Sequence, residues 1–381
     1  MEKKNREFQI FTKPVGAVCN LRCKYCYYLD KKALYQAKGS FIMSDDILER
    51  YIVQHIEAST EETISFSWHG GEPLMAGIDF FRKIVDLQKK HKPGGRIITN
   101  GIQTNGTLID KTWASFLAEE KFMVGISIDG PGDLHNRFRI KADNKPSLHQ
   151  VLRSFEILRS SKIVCEILCV VNSYNVKFPL VVYSFFKDLG AKYITFLPLV
   201  EKRPGTKSGV SRISVPSEEF GLFLNSVFDE WVERDIGEIK IQIFEEAART
   251  AFNQEHTLCI FKENCGGVPV VEHNGDFYSC DHYVDNDHLV GTIKEGSVAG
   301  FLDSEKQKGF GLAKSLTLPR YCVDCEVKPM CNGECPKNRF INAPDGEPGL
   351  NYLCNGYKLF FNHCRPFVEA IATTWNNQRG A

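Results

Sequence analysis

No stretch of the 381-residue sequence approaches eighteen consecutive apolar residues, which excludes an ordinary transmembrane helix. An excess of one charge sign is missing too. Lys+Arg and Asp+Glu stand at 47 each, so nothing argues for nucleic acid as a partner. The opening Met1-Glu-Lys-Lys-Asn-Arg-Glu-Phe8 is charged and lacks the apolar core of a signal peptide. No internal repeat or low-complexity tract is present. These absences point to a cytoplasmic protein working away from membranes, in a compartment that keeps thiols reduced. The rest of the composition, 43% apolar and 25% charged, is that of a globular chain with room for a large domain and a smaller one.

Against that background the fourteen cysteines stand out. Disulfides are disfavoured in the cytosol, so clustered cysteines imply metal binding or redox work. Cys165 and Cys169 lie in the apolar run Ile163–Val171 and read as small core hydrophobes, and Cys364 is isolated. The other eleven fall into patterns.

Up to residue 235 short apolar runs alternate with longer amphipathic ones. Strands are predicted at Phe8–Thr12, Thr63–Trp68, Arg96–Thr99, Val124–Asp129, Cys165–Val171 and Tyr193–Phe196. Helices are predicted after Ser44, around Phe80–Leu87, and over Asp110–Glu120, Ser147–Ser160, Leu180–Leu189 and Ser217–Asp235. Six β-then-α units imply parallel strands. A doubly wound sheet and a partial barrel both satisfy this. The barrel is favoured because the Cys19 loop, His69-Gly-Gly-Glu-Pro73, Gln103-Thr-Asn-Gly106 and Ser127-Ile-Asp-Gly130 all fall at strand C-terminal ends, the active face of barrel enzymes. Beyond residue 258 periodicity fades and cysteines become dense, as in a domain organised around metal. The expected division is a barrel over 1–235, a connecting segment over 236–258 and a cysteine-rich domain over 259–381.

Directly after the first strand comes Cys19-Asn-Leu-Arg-Cys23-Lys-Tyr-Cys26. Three thiolates in one loop can wrap a compact cluster and leave one metal position without a protein ligand, whereas a closed structural site uses four. A zinc loop with its fourth ligand elsewhere is the competing reading. Cys-x3-Cys-x2-Cys with Tyr25 before the last cysteine resembles the radical S-adenosylmethionine superfamily. The resemblance implies a partial (βα)6 barrel in an α/β fold and a [4Fe-4S] cluster on Cys19, Cys23 and Cys26. Its open iron would chelate S-adenosylmethionine, which one electron cleaves to a 5′-deoxyadenosyl radical. It further implies cofactor contacts from Tyr25, from Gly70, Gly71 and Glu72, and from Ser127, Asp129, Arg139 and the backbone of Val200.

The second pattern is Cys259-x5-Cys265-x14-Cys280, then Cys322-x2-Cys325-x5-Cys331-x3-Cys335-x18-Cys354. Eight cysteines suffice for two four-cysteine sites, and two structural zincs would also fit. Behind the radical motif, the pattern is similar to the twin auxiliary-cluster (SPASM) domain. That resemblance assigns Cys259, Cys265, Cys280 and Cys335 to one [4Fe-4S] cluster and Cys322, Cys325, Cys331 and Cys354 to another, three clusters in all. With Cys280-Asp-His-Tyr283, the whole chain most resembles the anaerobic sulfatase-maturating enzymes. These oxidise a cysteine or serine in a sulfatase's Cys/Ser-x-Pro/Ala-x-Arg segment to Cα-formylglycine. The resemblance makes Asp281 the catalytic base and Tyr28 and His69 substrate neighbours, some relatives having Gln at the position of His69. It implies as partners a sulfatase polypeptide and an electron donor such as flavodoxin or ferredoxin. A peptide cross-linking SPASM enzyme is the alternative. Such enzymes often carry a leader-binding domain before the barrel, for which a first strand at residue 8 leaves no room.

Overall fold

The first six strands fall close to where the apolar runs put them: β1 (Phe11–Lys13), β2 (Thr63–Trp68), β3 (Ile97–Thr104), β4 (Met123–Ser127), β5 (Cys165–Val171) and β6 (Tyr193–Pro198). The computed structural model describes residues 6–35, 41–203, 205 and 209–379; most of the charged opening stretch lies outside them. Between the strands run α1 (Asp45–Ala58), α2 (Ile78–His91), α3 (Lys111–Glu119), the single turn α4 (Asp133–Asn136), α5 (Leu148–Ser160), α6 (Pro179–Asp188) and α7 (Ser217–Arg234). Side-chain caps start two of them. Ser44 Oγ accepts from the Ile47 N–H at 3.5 Å, and Asp110 Oδ1 accepts from the Trp113 N–H at 2.9 Å. The short strand β7 (Lys240–Ile241) and helix α8 (Gln242–Ala251) follow.

The chain divides into two compact units. One comprises Met1–Ser127, Asn136–Cys165 and Gly266–Gly311; the other comprises Ile128–His135, Glu166–Cys265 and Leu312–Ala381. In the first unit β1 to β4 pair in parallel in sequence order. β3 continues five residues past Thr99 because it keeps its ladder with β2 and then with β4, which brings Thr104 to the strand end. On the far side of β1 lies β8 (Val270–Glu272), parallel to it with Lys13 opposite Glu272, then β9 (Asp276–Tyr278) and β10 (Leu289–Thr292) in antiparallel order. These three strands come from the stretch where the sequence shows little periodicity, since three or four residues are too few for alternation to register. Tyr51, Phe66, Trp68 and Phe81 form the fully buried core beneath.

In the second unit β5, β6 and β7 are parallel. Here α11 (Arg320–Val323), α12 (Lys328–Cys331), the hairpin β11 (Arg339–Asn342) and β12 (Pro348–Asn351), and the long helix α13 (Cys354–Arg379) carry or flank the later cysteines. α13 crosses α7 at two facing glycines. A Cβ on Gly221 would lie 2.5 Å from the Gly356 carbonyl oxygen, and one on Gly356 would lie 2.1 Å from that of Ser217. Only glycine permits this approach. Phe220, Phe244, Phe360 and Phe361 fill the surrounding core. No helix among the described residues is long and apolar enough to cross a membrane.

Candidate active site

All three cysteines of the N-terminal motif sit in one loop, which leaves β1 and is stitched to the segment before α5. The Arg22 N–H donates to the Ile140 carbonyl at 2.8 Å and the Lys24 N–H to that of Phe138 at 2.9 Å. Arg139, between them, is buried, with its guanidinium 5.4 Å from the ring centre of buried Tyr25. Burial pushes the Cys19 thiol up to about 12, and the nearby Glu72, Cys23 and Cys26 add to that. Without a cation the Cys19 thiol holds its proton; a metal displaces it.

The Gly70-Gly-Glu-Pro73 turn packs directly on this loop. The Gly71 N–H donates to the Gly16 carbonyl at 2.8 Å and the Glu72 N–H to that of Val18 at 2.9 Å. A Cβ on Gly71 would lie 2.1 Å from the Val18 carbonyl oxygen, a backbone atom that cannot swing aside. Gly71→Ala should therefore displace the cysteine loop, seen as a lower melting temperature and poor iron retention after reconstitution. Glu72 is fully buried, and its carboxylate accepts from the Leu74 N–H at 3.1 Å, the Thr104 hydroxyl at 2.8 Å and the Asn105 N–H at 2.8 Å. A carboxylate offers about four acceptor positions, so one is left. Burial nevertheless pushes this carboxyl up to about 7, and the three donors offset that only in part. An arriving ammonium would favour the ionised form.

Ser127 Oγ, at the end of β4, accepts from Gln103 Nε2 at 3.2 Å. Asp129 is fully buried, and its Oδ1 accepts from the Val170 N–H at 3.0 Å, so half its carboxylate serves the backbone. The Val200 carbonyl accepts from Lys337 Nζ at 2.6 Å.

Asp281 sits at the centre of a second group of side chains in the first unit. Its Oδ1 is 2.5 Å from Lys13 Nζ, and Oδ2 accepts from the Tyr27 hydroxyl. Burial alone would raise this carboxyl. Lys13, His282 and the Tyr27 hydrogen bond outweigh burial and hold it at about 2, so it is ionised at neutral pH. Lys13 is itself buried and lies 4.2 Å from the Tyr28 ring centre. The Tyr28 hydroxyl donates to fully buried Glu272, whose other oxygen is 2.9 Å from His273 Nδ1. His69 stacks on Phe11 at 3.9 Å, and burial together with Lys13 lowers its imidazole to about 3, leaving it neutral. Asp281, Tyr28, His69 and the cysteine loop thus share the neighbourhood of β1.

The Radical SAM superfamily model matches residues 14–176. Over 97% of this chain and 92% of the relative, the sequence is 40% identical to the serine-type anaerobic sulfatase-maturating enzyme of Bacteroides thetaiotaomicron. The chain belongs to the anaerobic sulfatase-maturating enzymes. It is 32% identical to the cysteine-type enzyme of Clostridium perfringens (strain 13 / Type A), covering 95% of this chain and 98% of that one. The structure superposes on native anSMEcpe with bound AdoMet and a Cp18Cys peptide at a TM-score of 0.87, with 32% identity over 96% of this chain and 99% of that one. The fold is therefore the partial (βα)6 barrel with an auxiliary-cluster (SPASM) domain, and the cofactors are S-adenosylmethionine and iron–sulfur clusters.

The later cysteines of this sulfatase-maturating enzyme fit such clusters. Cys322, Cys325, Cys331 and Cys354 line a single cavity, with Tyr321 and Lys358 at its side. Among the described residues no three His, Cys, Asp or Glu side chains close onto a single-ion site. Four thiols around one cavity suit a cubane cluster held by four cysteines. Cys259 and Cys265 lie in the same unit as these four and Cys335, while Cys280 belongs to the first unit with Asp281. No disulfide forms among the described residues. Sequence reasoning missed Lys13, Tyr27, Glu272, His273 and Asn105, whose Nδ2 is 3.7 Å from Cys19 Sγ. The available signal was chemical, a lone lysine closing an otherwise uncharged strand.

Proposed function

We propose that this chain oxidises a cysteine or serine side chain of a sulfatase polypeptide to Cα-formylglycine, with Asp281 as the base. Full-length similarity to serine-type and cysteine-type maturating enzymes supports the reaction class. The single observation that carries the residue assignment is the buried, ionised Asp281 next to Cys280, in the unit that also holds the Cys19–Cys26 loop. When bound, S-adenosylmethionine and the clusters supply hydrogen removal from the substrate Cβ and an acceptor for one electron. The chain supplies the rest. Loss of the Cβ hydrogen acidifies the neighbouring S–H or O–H, and the ionised Asp281 carboxylate takes that proton. A serine then becomes the aldehyde directly; a cysteine becomes a thioaldehyde, which water converts to the aldehyde with release of hydrogen sulfide.

Cys19, Cys23 and Cys26 hold the radical cluster in this reading. Glu72 receives the cofactor ammonium, with Gly70 and Gly71 giving backbone access. Tyr25, Ser127, Asp129, Arg139 and Val200 surround the rest of the cofactor. Tyr28 and His69 border the substrate side chain. The functional division follows the ligands, with a barrel over 1–235, a connecting segment over 236–258 and an auxiliary-cluster domain over 259–381. We assign it to the cytoplasm, served by a flavodoxin-like or ferredoxin-like donor.

The test is anaerobic reconstitution with iron and sulfide, then incubation with S-adenosylmethionine, a reductant and peptides containing Cys-x-Pro-x-Arg or Ser-x-Pro-x-Arg. Aldehyde formed in step with 5′-deoxyadenosine is the expected result, and comparing the peptides fixes the substrate range. Formation of 5′-deoxyadenosine with both peptides intact would reject sulfatase maturation in favour of peptide cross-linking. Glu72→Gln should weaken S-adenosylmethionine binding by roughly 10- to 100-fold, the loss of one charge-assisted hydrogen bond. In the parent, affinity should rise as pH passes through about 7 and Glu72 ionises, and the variant should lack that rise; equilibrium dialysis reads both.

A further inference from the structure

The loop from Cys331 to Cys335 joins the two auxiliary ligand sets, since the assignment above gives its two ends to different clusters. Its interior is unusual. Asn332, Gly333 and Glu334 are consecutive left-handed residues, with φ of 46°, 69° and 51°. A glutamate in that region is uncommon, and three such residues in a row need something to hold them.

Arg339 does the holding. Its Nη2 donates to the Asn332 carbonyl at 3.0 Å and to that of Glu334 at 3.1 Å, while Nε donates to the Gly333 carbonyl at 2.9 Å. Nη1 reaches the Lys314 carbonyl at 2.5 Å, in α10 (Glu305–Leu316). The rigid guanidinium fork thus collects all three carbonyls of the turn, which an ammonium could not do in one plane. A Cβ on Gly333 would lie 2.7 Å from Arg339 Nη2 and 2.3 Å from Leu318 Cδ2, so the turn has no slack. Asn332 Nδ2 donates to the Phe261 carbonyl at 2.7 Å, and the Glu334 carboxylate accepts from Asn338 and Asn351. A second cation stands close by. Lys314, 1% exposed, donates through Nζ to the carbonyls of Cys259 at 2.9 Å and Ile260 at 2.8 Å.

We infer that Arg339 positions both auxiliary clusters by templating the left-handed turn between Cys331 and Cys335, and that its charge, with that of Lys314, makes those clusters easier to reduce. The inference rests on the cluster assignment proposed above. A cluster held by four thiolates is anionic and becomes more so by one charge on taking an electron. Fixed cations at low dielectric favour that reduced state.

The test uses the full chain carrying Cys19→Ala, Cys23→Ala and Cys26→Ala, so that only auxiliary clusters load. It is reconstituted anaerobically and titrated with dithionite under electron paramagnetic resonance. Arg339→Gln should lower the equilibrium constant for one-electron reduction about tenfold, or about 59 mV, and should lose iron on gel filtration. Arg339→Lys should keep the potential near the parent but still lose iron, because charge remains and the fork does not. Lys314→Gln should lower the potential with iron retained, and it reads the charge effect if Arg339→Gln will not hold clusters. Unchanged potentials in Arg339→Gln and Lys314→Gln would overturn the charge role. Full iron retention in both Arg339 variants would overturn the templating role. Absence of any reducible cluster in the triple-alanine parent would instead reject the cluster assignment itself.

Discussion

Replacing Cys19, Cys23 and Cys26 together with alanine should abolish formation of 5′-deoxyadenosine, while iron content should fall from about twelve to about eight per chain as one cubane of three is lost. The size of the effect follows from the loop's chemistry. Cys19 lies near fully buried Glu72, and burial holds its proton up to about 12 unless a cation displaces it. No other group in this loop offers a soft ligand, so an alanine loop has nothing with which to hold iron. The loop itself should largely persist, because backbone hydrogen bonds to Phe138 and Ile140 hold its path. Circular dichroism should therefore match the parent. Undiminished 5′-deoxyadenosine in this variant would move the radical site elsewhere in the chain.

Asp281→Asn should separate the two halves of the reaction. 5′-Deoxyadenosine still forms, and aldehyde yield falls by about 10²- to 10⁴-fold, the usual contribution of a positioned general base. The substitution also strands Lys13, whose side chain is 2% exposed and whose Nζ is 2.5 Å from the carboxylate it would lose. Leaving a buried charge unpaired costs about 3–5 kcal/mol, so the melting temperature should drop as well. The double variant Lys13→Met with Asp281→Asn removes the stranded charge. It should recover most of the lost stability without recovering aldehyde, which assigns the chemical defect to the missing carboxylate and not to a damaged fold. Parent-level product from either variant would remove Asp281 as the base.

How much of this was legible beforehand depended on length and on local pattern. β2 and β5 could be bounded from sequence to the residue, since each is long enough for its apolar residues to mark a strand. β8 escaped, being three residues in a stretch of turns, and its pairing with β1 sets Lys13 opposite Glu272. The grouping of Cys322, Cys325, Cys331 and Cys354 around one cavity was readable because their spacing is written along the chain. The partners of Asp281 were not, because Lys13 and Tyr27 lie more than 250 positions away and a lone lysine ordinarily signals surface. Asp129 shows what the sequence leaves out: a carboxylate at a strand end reads as a ligand contact, and the structure adds that one of its oxygens also accepts from the Val170 amide.

If Cys354 holds a cluster as proposed, the glycine contact between α7 and α13 ties metal binding to the seating of a helix. Cys354 is the first residue of α13, and Gly356, two positions on, is where that helix meets α7. Seating of the 26-residue helix and placement of the Cys354 thiolate are therefore one event. Whatever binds that thiolate in the folded state draws the helix down onto its partner by mass action. By the same linkage, a chain left without that ligand should hold this helix less firmly against α7.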